Sequence, residues 1–124
     1  MSGAGAGLGH DLPVLDEDQL GELFDGADRD LFEVLEQSAE EDAALHFGAL
    51  QGHPDAEAAA AACHAIKGTA GSLGFSRAAA IAERLMLAAE AGEAPAGDAV
   101  QALDRAWRDG LAAFRNFGAG LPAA

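Results

Sequence analysis

Tyrosine is absent from this 124-residue chain, β-branched residues are scarce, and lysine occurs once. Strands favour β-branched and aromatic residues, whereas Ala, Leu, Glu and Arg favour helices. These shortages exclude a sheet-built domain and predict an all-α fold. Basic residues are also few: seven Lys and Arg against 21 Asp and Glu give a formal net charge of −14. Such a chain repels phosphate backbones and anionic lipid surfaces, which argues against nucleic acid and membrane as partners. A single cysteine, Cys63, cannot form an internal disulfide and fits a reducing compartment. No apolar run approaches the ~18 residues that span a bilayer. The opening MSGAGAGLGHDLP has neither the basic nor the apolar region of a signal peptide. A cytoplasmic location is expected.

What is present is alanine, acid and helical periodicity. The length suits one domain with a core of modest size. Because alanine supplies much of the apolar half of the sequence, that core must come from closely approaching helices. Twelve of the acids lie between Asp16 and Asp42, where Arg29 is the only base, and read as a solvated helix face. Residues 1–13 are Gly/Ala-rich and are expected to form a flexible tail. A short helix then follows Asp16, a candidate N-cap, with Leu20, Leu23 and Phe24 on its apolar face. A long helix is expected from about Asp28 to Gln51, with Leu31, Phe32, Leu35, Ala39, Ala49 and Leu50 on one stripe, before GHP breaks it. A third runs from about Asp55 to Leu73, and a fourth from Ser76, a candidate N-cap, to about Ala91. The last, from about Asp98 to Phe117, carries Val100, Leu103, Trp107, Leu111 and Phe114 at spacings of three and four. The expected architecture is an antiparallel four-helix bundle running up-down-up-down over residues 14–118, capped by the short N-terminal helix, with 119–124 as a tail.

The stretch CHAIKGTAGSLG, residues 63 to 74, raises a question within that scheme. Glycine weakens a helix by roughly 1 kcal/mol relative to alanine, yet a chain rich in alanine places Gly68 and Gly71 beside His64 and Lys67. At about 100° per residue, with Ile66 facing the core, Ala59, Ala62, Ala70 and Leu73 share its stripe. His64 falls about 160° away, towards solvent, among Glu57, Ala60, Ala61, Gly68, Gly71 and Phe75. That outer face is nearly bare. The glycines are best explained as clearing space for a bulky partner to reach one imidazole.

A neutral imidazole offers a nucleophilic nitrogen lone pair. A phosphoryl group on it adds roughly −1.5 to −2 charges, which an ammonium three residues along the helix can offset. Phosphoryl transfer needs in-line positioning and charge stabilisation above all. A bare platform lets a partner bring its own phosphorylated carboxylate and metal over the ring.

The run H-A-I-K-G-T-A-G-S-L-G resembles the signature of histidine phosphotransfer domains, H-x-[LIM]-K-G-[ST]-[AS]-x-x-[LIVF]-G. The resemblance makes His64 the phosphoryl acceptor, through Nε2, Lys67 the phosphate-stabilising cation and Gly68 the residue that gives access. It implies a phosphorelay intermediary that takes a phosphoryl group from a receiver-domain aspartate of a hybrid histidine kinase and passes it to a response regulator. The docking surface implied is Ala60, Ala61, Gly71 and Phe75, with Glu57 beside it, extended by apolar residues of the second helix. Mg²⁺ is expected on the receiver, not on this chain, and no small-molecule substrate is implied. The chain has no G-x-x-x-x-G-K-[ST] phosphate loop, so no kinase activity of its own is expected. A monomer is expected. The alternative is an adaptor of the same fold that docks kinases or receivers without carrying phosphate.

The remaining candidates read as structural. His10 belongs to the tail, His46 to a partly buried helix position one turn after Asp42, and His53 to a loop or cap. Cys63 and His64 point about 100° apart on their helix, and His46 and His53 are about 10 Å apart in helix rise, so no metal site is expected. Trp107 and the phenylalanines of the last helix are assigned to the core.

Overall fold

Three aspartates start three of the helices. Asp16 accepts a hydrogen bond from the Gln19 N–H (3.1 Å), Asp28 from that of Asp30 (3.0 Å) and Asp55 from that of Ala58 (2.8 Å). Each satisfies a backbone donor that the first helical turn leaves without a partner. The structure, a computed structural model, describes residues 12–123. Within them lie α1 (Glu17–Leu23), α2 (Arg29–Gln51), α3 (Ala56–Ser72), α4 (Ser76–Glu90) and α5 (Gly97–Ala119). The all-α expectation holds, with no strand among the described residues. No helix among them is long and apolar enough to cross a membrane.

The four longer helices close a ring: α2 packs on α3 and α5, α3 on α4, and α4 on α5. α3 and α4 form the most intimate pair, because alanines at 59, 62, 70, 78 and 82 are all buried and let the backbones approach. Every aromatic side chain of the protein joins one connected cluster. Trp107 meets Phe47 and, edge-on, Phe75; Phe75 meets Phe114; Phe114 stacks on Phe32; and Phe24 touches Phe32, Phe114 and Phe117. Such ring pairs contribute about 0.5–1.5 kcal/mol each beyond their buried area. Through Leu20 and Phe24, both buried, α1 caps this cluster.

Two glycines on α5 mark where the packing leaves no room. A Cβ at Gly110 would lie 2.9 Å from the Phe75 ring, and one at Gly118 would overlap the ring of Phe32. Sequence periodicity does not show either requirement.

Several expectations need correction. On α2 the buried residues are Phe32, Ala39, Ala43, Phe47 and Leu50, whereas Leu31 and Ala49 are exposed. The stripe is centred on Phe32 and Phe47, about 100° round the helix from Leu31. Ser76 is the first residue of α4, not its N-cap. Phe75 holds the cap position without a side-chain bond, and the Arg77 N–H is satisfied by the Pro13 carbonyl instead (3.1 Å). Of the expected N-terminal tail, residues 1–11, His10 included, lie outside the described residues. Leu12 and Pro13 are tied down, since the Leu12 carbonyl accepts from Arg77 Nε (2.9 Å). At the other end the Arg29 N–H donates to the Pro122 carbonyl, and its guanidinium to those of Ala119 and Leu121.

Candidate functional site

α3 carries the site, and its local sequence explains how. Asp55 caps the helix, and Ala59, Ala62, Cys63, Ile66 and Ala70 bury one face. His64, out of phase with that stripe, is exposed. Glu57, Ala61, Gly68 and Gly71 are exposed on the same outer side, and Ala60 is half-buried beside them. A Cβ built on Gly68 or Gly71 meets nothing within 4 Å. Neither glycine is needed for helix packing. Both leave open surface next to the imidazole.

Phe75, expected on this face, is not there. It is fully buried, inside the cluster of Trp107 and Phe114. The helix ends at Ser72, and Gly74 adopts φ +77°, a left-handed conformation that suits glycine. Past that point 100° per residue no longer applies, and the chain turns Phe75 inward. The Gly74 carbonyl accepts from the Asp16 N–H (2.6 Å), and a Cβ at Gly74 would sit 3.2 Å from the Asp16 carbonyl oxygen. The role of Gly74 is therefore a turn and a close backbone approach, not access.

The end of α3 is held from outside. Gln19 of α1 donates from Nε2 to the carbonyls of Gly71 (2.7 Å), which also accepts from the Gly74 N–H (3.3 Å), and Ser72 (3.3 Å), in the last turn of the helix. Ser72 donates back to the Gly68 carbonyl (2.9 Å). On the α2 side, Thr69 Oγ1 donates to Asp42 (3.2 Å). Asp42 thus engages Thr69; His46 is half-buried, and no ion pair joins it to Asp42 among the described residues. His53 is exposed in the α2–α3 connection, at φ +56°.

On the α4 side, Lys67 Nζ lies 3.0 Å from Glu83 Oε1, with the two side chains 38 % and 50 % exposed. Sequence reasoning singled out Lys67 but missed Glu83. The signal existed: Lys67 and Glu83 stand eight residues before and after Phe75, at the turn of the α3–α4 hairpin. Cys63, adjacent to His64 in sequence, points into the core. Its burial pushes the thiol up to about 11, so it remains neutral and unreactive at physiological pH.

An exposed imidazole, an ammonium one turn along and a cleared surface suit group transfer to a partner. The Hpt domain family model matches residues 30–117, which run from the first turn of α2 to the last turns of α5. The chain belongs to the Hpt domain family. No curated protein and no solved structure matches it. Hpt domains act in histidine phosphotransfer within two-component signalling. They are carriers, not kinases, and interact with receiver and response-regulator proteins. α1 lies outside the matched segment.

Proposed function

We propose that this Hpt domain is a phosphorelay intermediary and that His64 is its phosphorylated residue. The observation that carries the proposal is His64 standing exposed beside the open space over Gly68 and Gly71, on a helix whose other face is core. In the proposed reaction a phosphorylated aspartate on the receiver domain of a hybrid histidine kinase docks over α3. The Nε2 lone pair forms the N–P bond as the acyl-phosphate P–O bond breaks, and the carboxylate leaves with the bonding pair. The second transfer, to a response-regulator aspartate, is the same displacement run in reverse. Lys67 offsets the charge that builds on His64, and Gly68 keeps approach open. Mg²⁺ is assigned to the receiver.

The docking surface proposed here comprises Glu57, Ala60, Ala61 and Gly71, with Phe75 removed from the set. We extend it along α2 with Leu45 (67 % exposed), three residues from Asp42. Asp42 itself reaches Thr69 of α3. The short α2–α3, α3–α4 and α4–α5 connections support an up-down-up-down bundle, and we propose a cytoplasmic monomer, which light scattering tests.

Incubation with a phosphorylated receiver domain tests the central claim. Acid-labile label is expected on the wild-type protein and none on His64→Ala. Label that persists in the variant overturns the assignment of His64. A wild-type protein that binds the receiver without acquiring label is an adaptor instead.

A further inference from the structure

Lys67 is the only lysine in the chain, and it is already engaged. Its ammonium lies one turn beyond His64 on α3 yet is held by a carboxylate of the neighbouring helix, Glu83 of α4, at 3.0 Å. An exposed lysine has a four-carbon stem and many rotamers. A partner fixed on α4 restricts where that charge resides. Both side chains are partly open to solvent, so the pair contributes little to stability. Its significance is positional.

We infer that Glu83 is a positioning residue for phosphotransfer: it holds Lys67 beside His64 and competes with the phosphoryl group for its ammonium, which keeps the phosphohistidine easy to discharge. This rests on the proposal that His64 carries the phosphoryl group. Before transfer, Lys67 and Glu83 together sum to zero charge. The phosphoryl group brings roughly −1.5 to −2 charges to the adjacent turn, and one ammonium then faces two anions. Its three N–H donors can be divided between them. A cation shared in this way stabilises the phosphorylated state less than an unshared one. For a carrier that must surrender its cargo, weaker retention favours onward transfer.

Phosphoramidate serves as the donor, so no partner protein is needed. Its P–N bond breaks as His64 Nε2 forms the new N–P bond; ammonia leaves with the bonding pair and takes up the proton that the ring releases from Nδ1. The lifetime of the loaded full-length protein is then followed by ³¹P NMR after the donor is removed. Glu83→Gln, which keeps the shape and removes the charge, is expected to lengthen the phosphohistidine half-life about two- to fivefold, the range an exposed ion pair can supply. In a Lys67→Met background the same substitution is expected to change it by less than half as much. The Cε–Hε NMR signals of the sole lysine give an independent readout, shifting on loading by more in Glu83→Gln than in wild type.

An unchanged half-life in Glu83→Gln overturns the inference. So does an equal lengthening with and without Lys67, because Glu83 then acts directly on the phosphoryl group and not through the ammonium. His64→Ala separates this from failure of the underlying proposal. Label appearing on that variant, or none on wild type, removes His64 as the carrier and the inference with it.

Discussion

Glycine has two opposite roles in this protein, and substitution by alanine separates them. At Gly68 and Gly71 an added methyl group meets open space within a regular helix. Each Gly→Ala change is expected to raise stability by about 0.5–1 kcal/mol while slowing phosphotransfer, because the new Cβ occupies the approach to His64. Urea melts and transfer rates on the same variants check both halves. Gly118→Ala places its methyl group in the Phe32 ring and is expected to destabilise by about 1–3 kcal/mol, with the site itself unaltered. Cys63 gives a prediction in pH. Its folded-state value of about 11 lies above the ordinary 9.0, so burial favours the neutral thiol. That contribution is fully present below pH 9 and is lost as pH rises towards about 11. Thermal melts across this interval are expected to fall more steeply for wild type than for Cys63→Ala.

At the scale of elements, the beginnings of helices were more legible than their ends. Asp16, Asp28 and Asp55 announce three starts because a carboxylate one position before a helix has a simple chemical task. The start of α4 was misread by one residue because its backbone donor is met by Pro13, sixty-four positions away in sequence. Periodicity located the core face of α3 and exposed His64 correctly, since both lie within one regular helix. It failed at Phe75, where Gly74 resets the chain direction, and on α2, where Leu31 and Ala49 imitate a buried stripe. The α1–α3 junction was invisible for the same reason: Gln19 reaches carbonyls more than fifty residues away. Gln19→Ala is expected to cost about 1 kcal/mol and to speed amide hydrogen exchange at the α3–α4 turn, with the rest of α3 still protected.

Across the whole molecule, composition pointed to the helical class and to an excess of acid, but neither shows how the acids are managed. Arg115 of α5 binds Glu36 (2.6 Å) and Glu40 (3.0 Å) of α2, and the side-chain bond to Glu36 is the main cause that raises its pKa. Most of the other acids between Asp16 and Asp42 face solvent, among them Glu17, Asp18, Glu22, Asp25, Asp30, Glu33 and Glu41. Their mutual repulsion opposes the compact state and is screened by salt over about 10 Å at 0.1 M. Raising the ionic strength from about 10 to about 200 mM is therefore expected to raise the Tm by a few degrees, followed by circular dichroism. A flat or falling curve would mean that screening of the Arg115 bridges outweighs relief of the acidic face.

With no tyrosine in the chain, ultraviolet excitation near the red edge reaches one chromophore, the indole of Trp107. That indole abuts Phe75, three positions after the last residue of the helix that bears His64. The native protein thus contains its own optical probe, close to the hairpin beneath the proposed docking face, with no second tryptophan in the chain to blur it. Changes in emission can time a partner's arrival without any label attached.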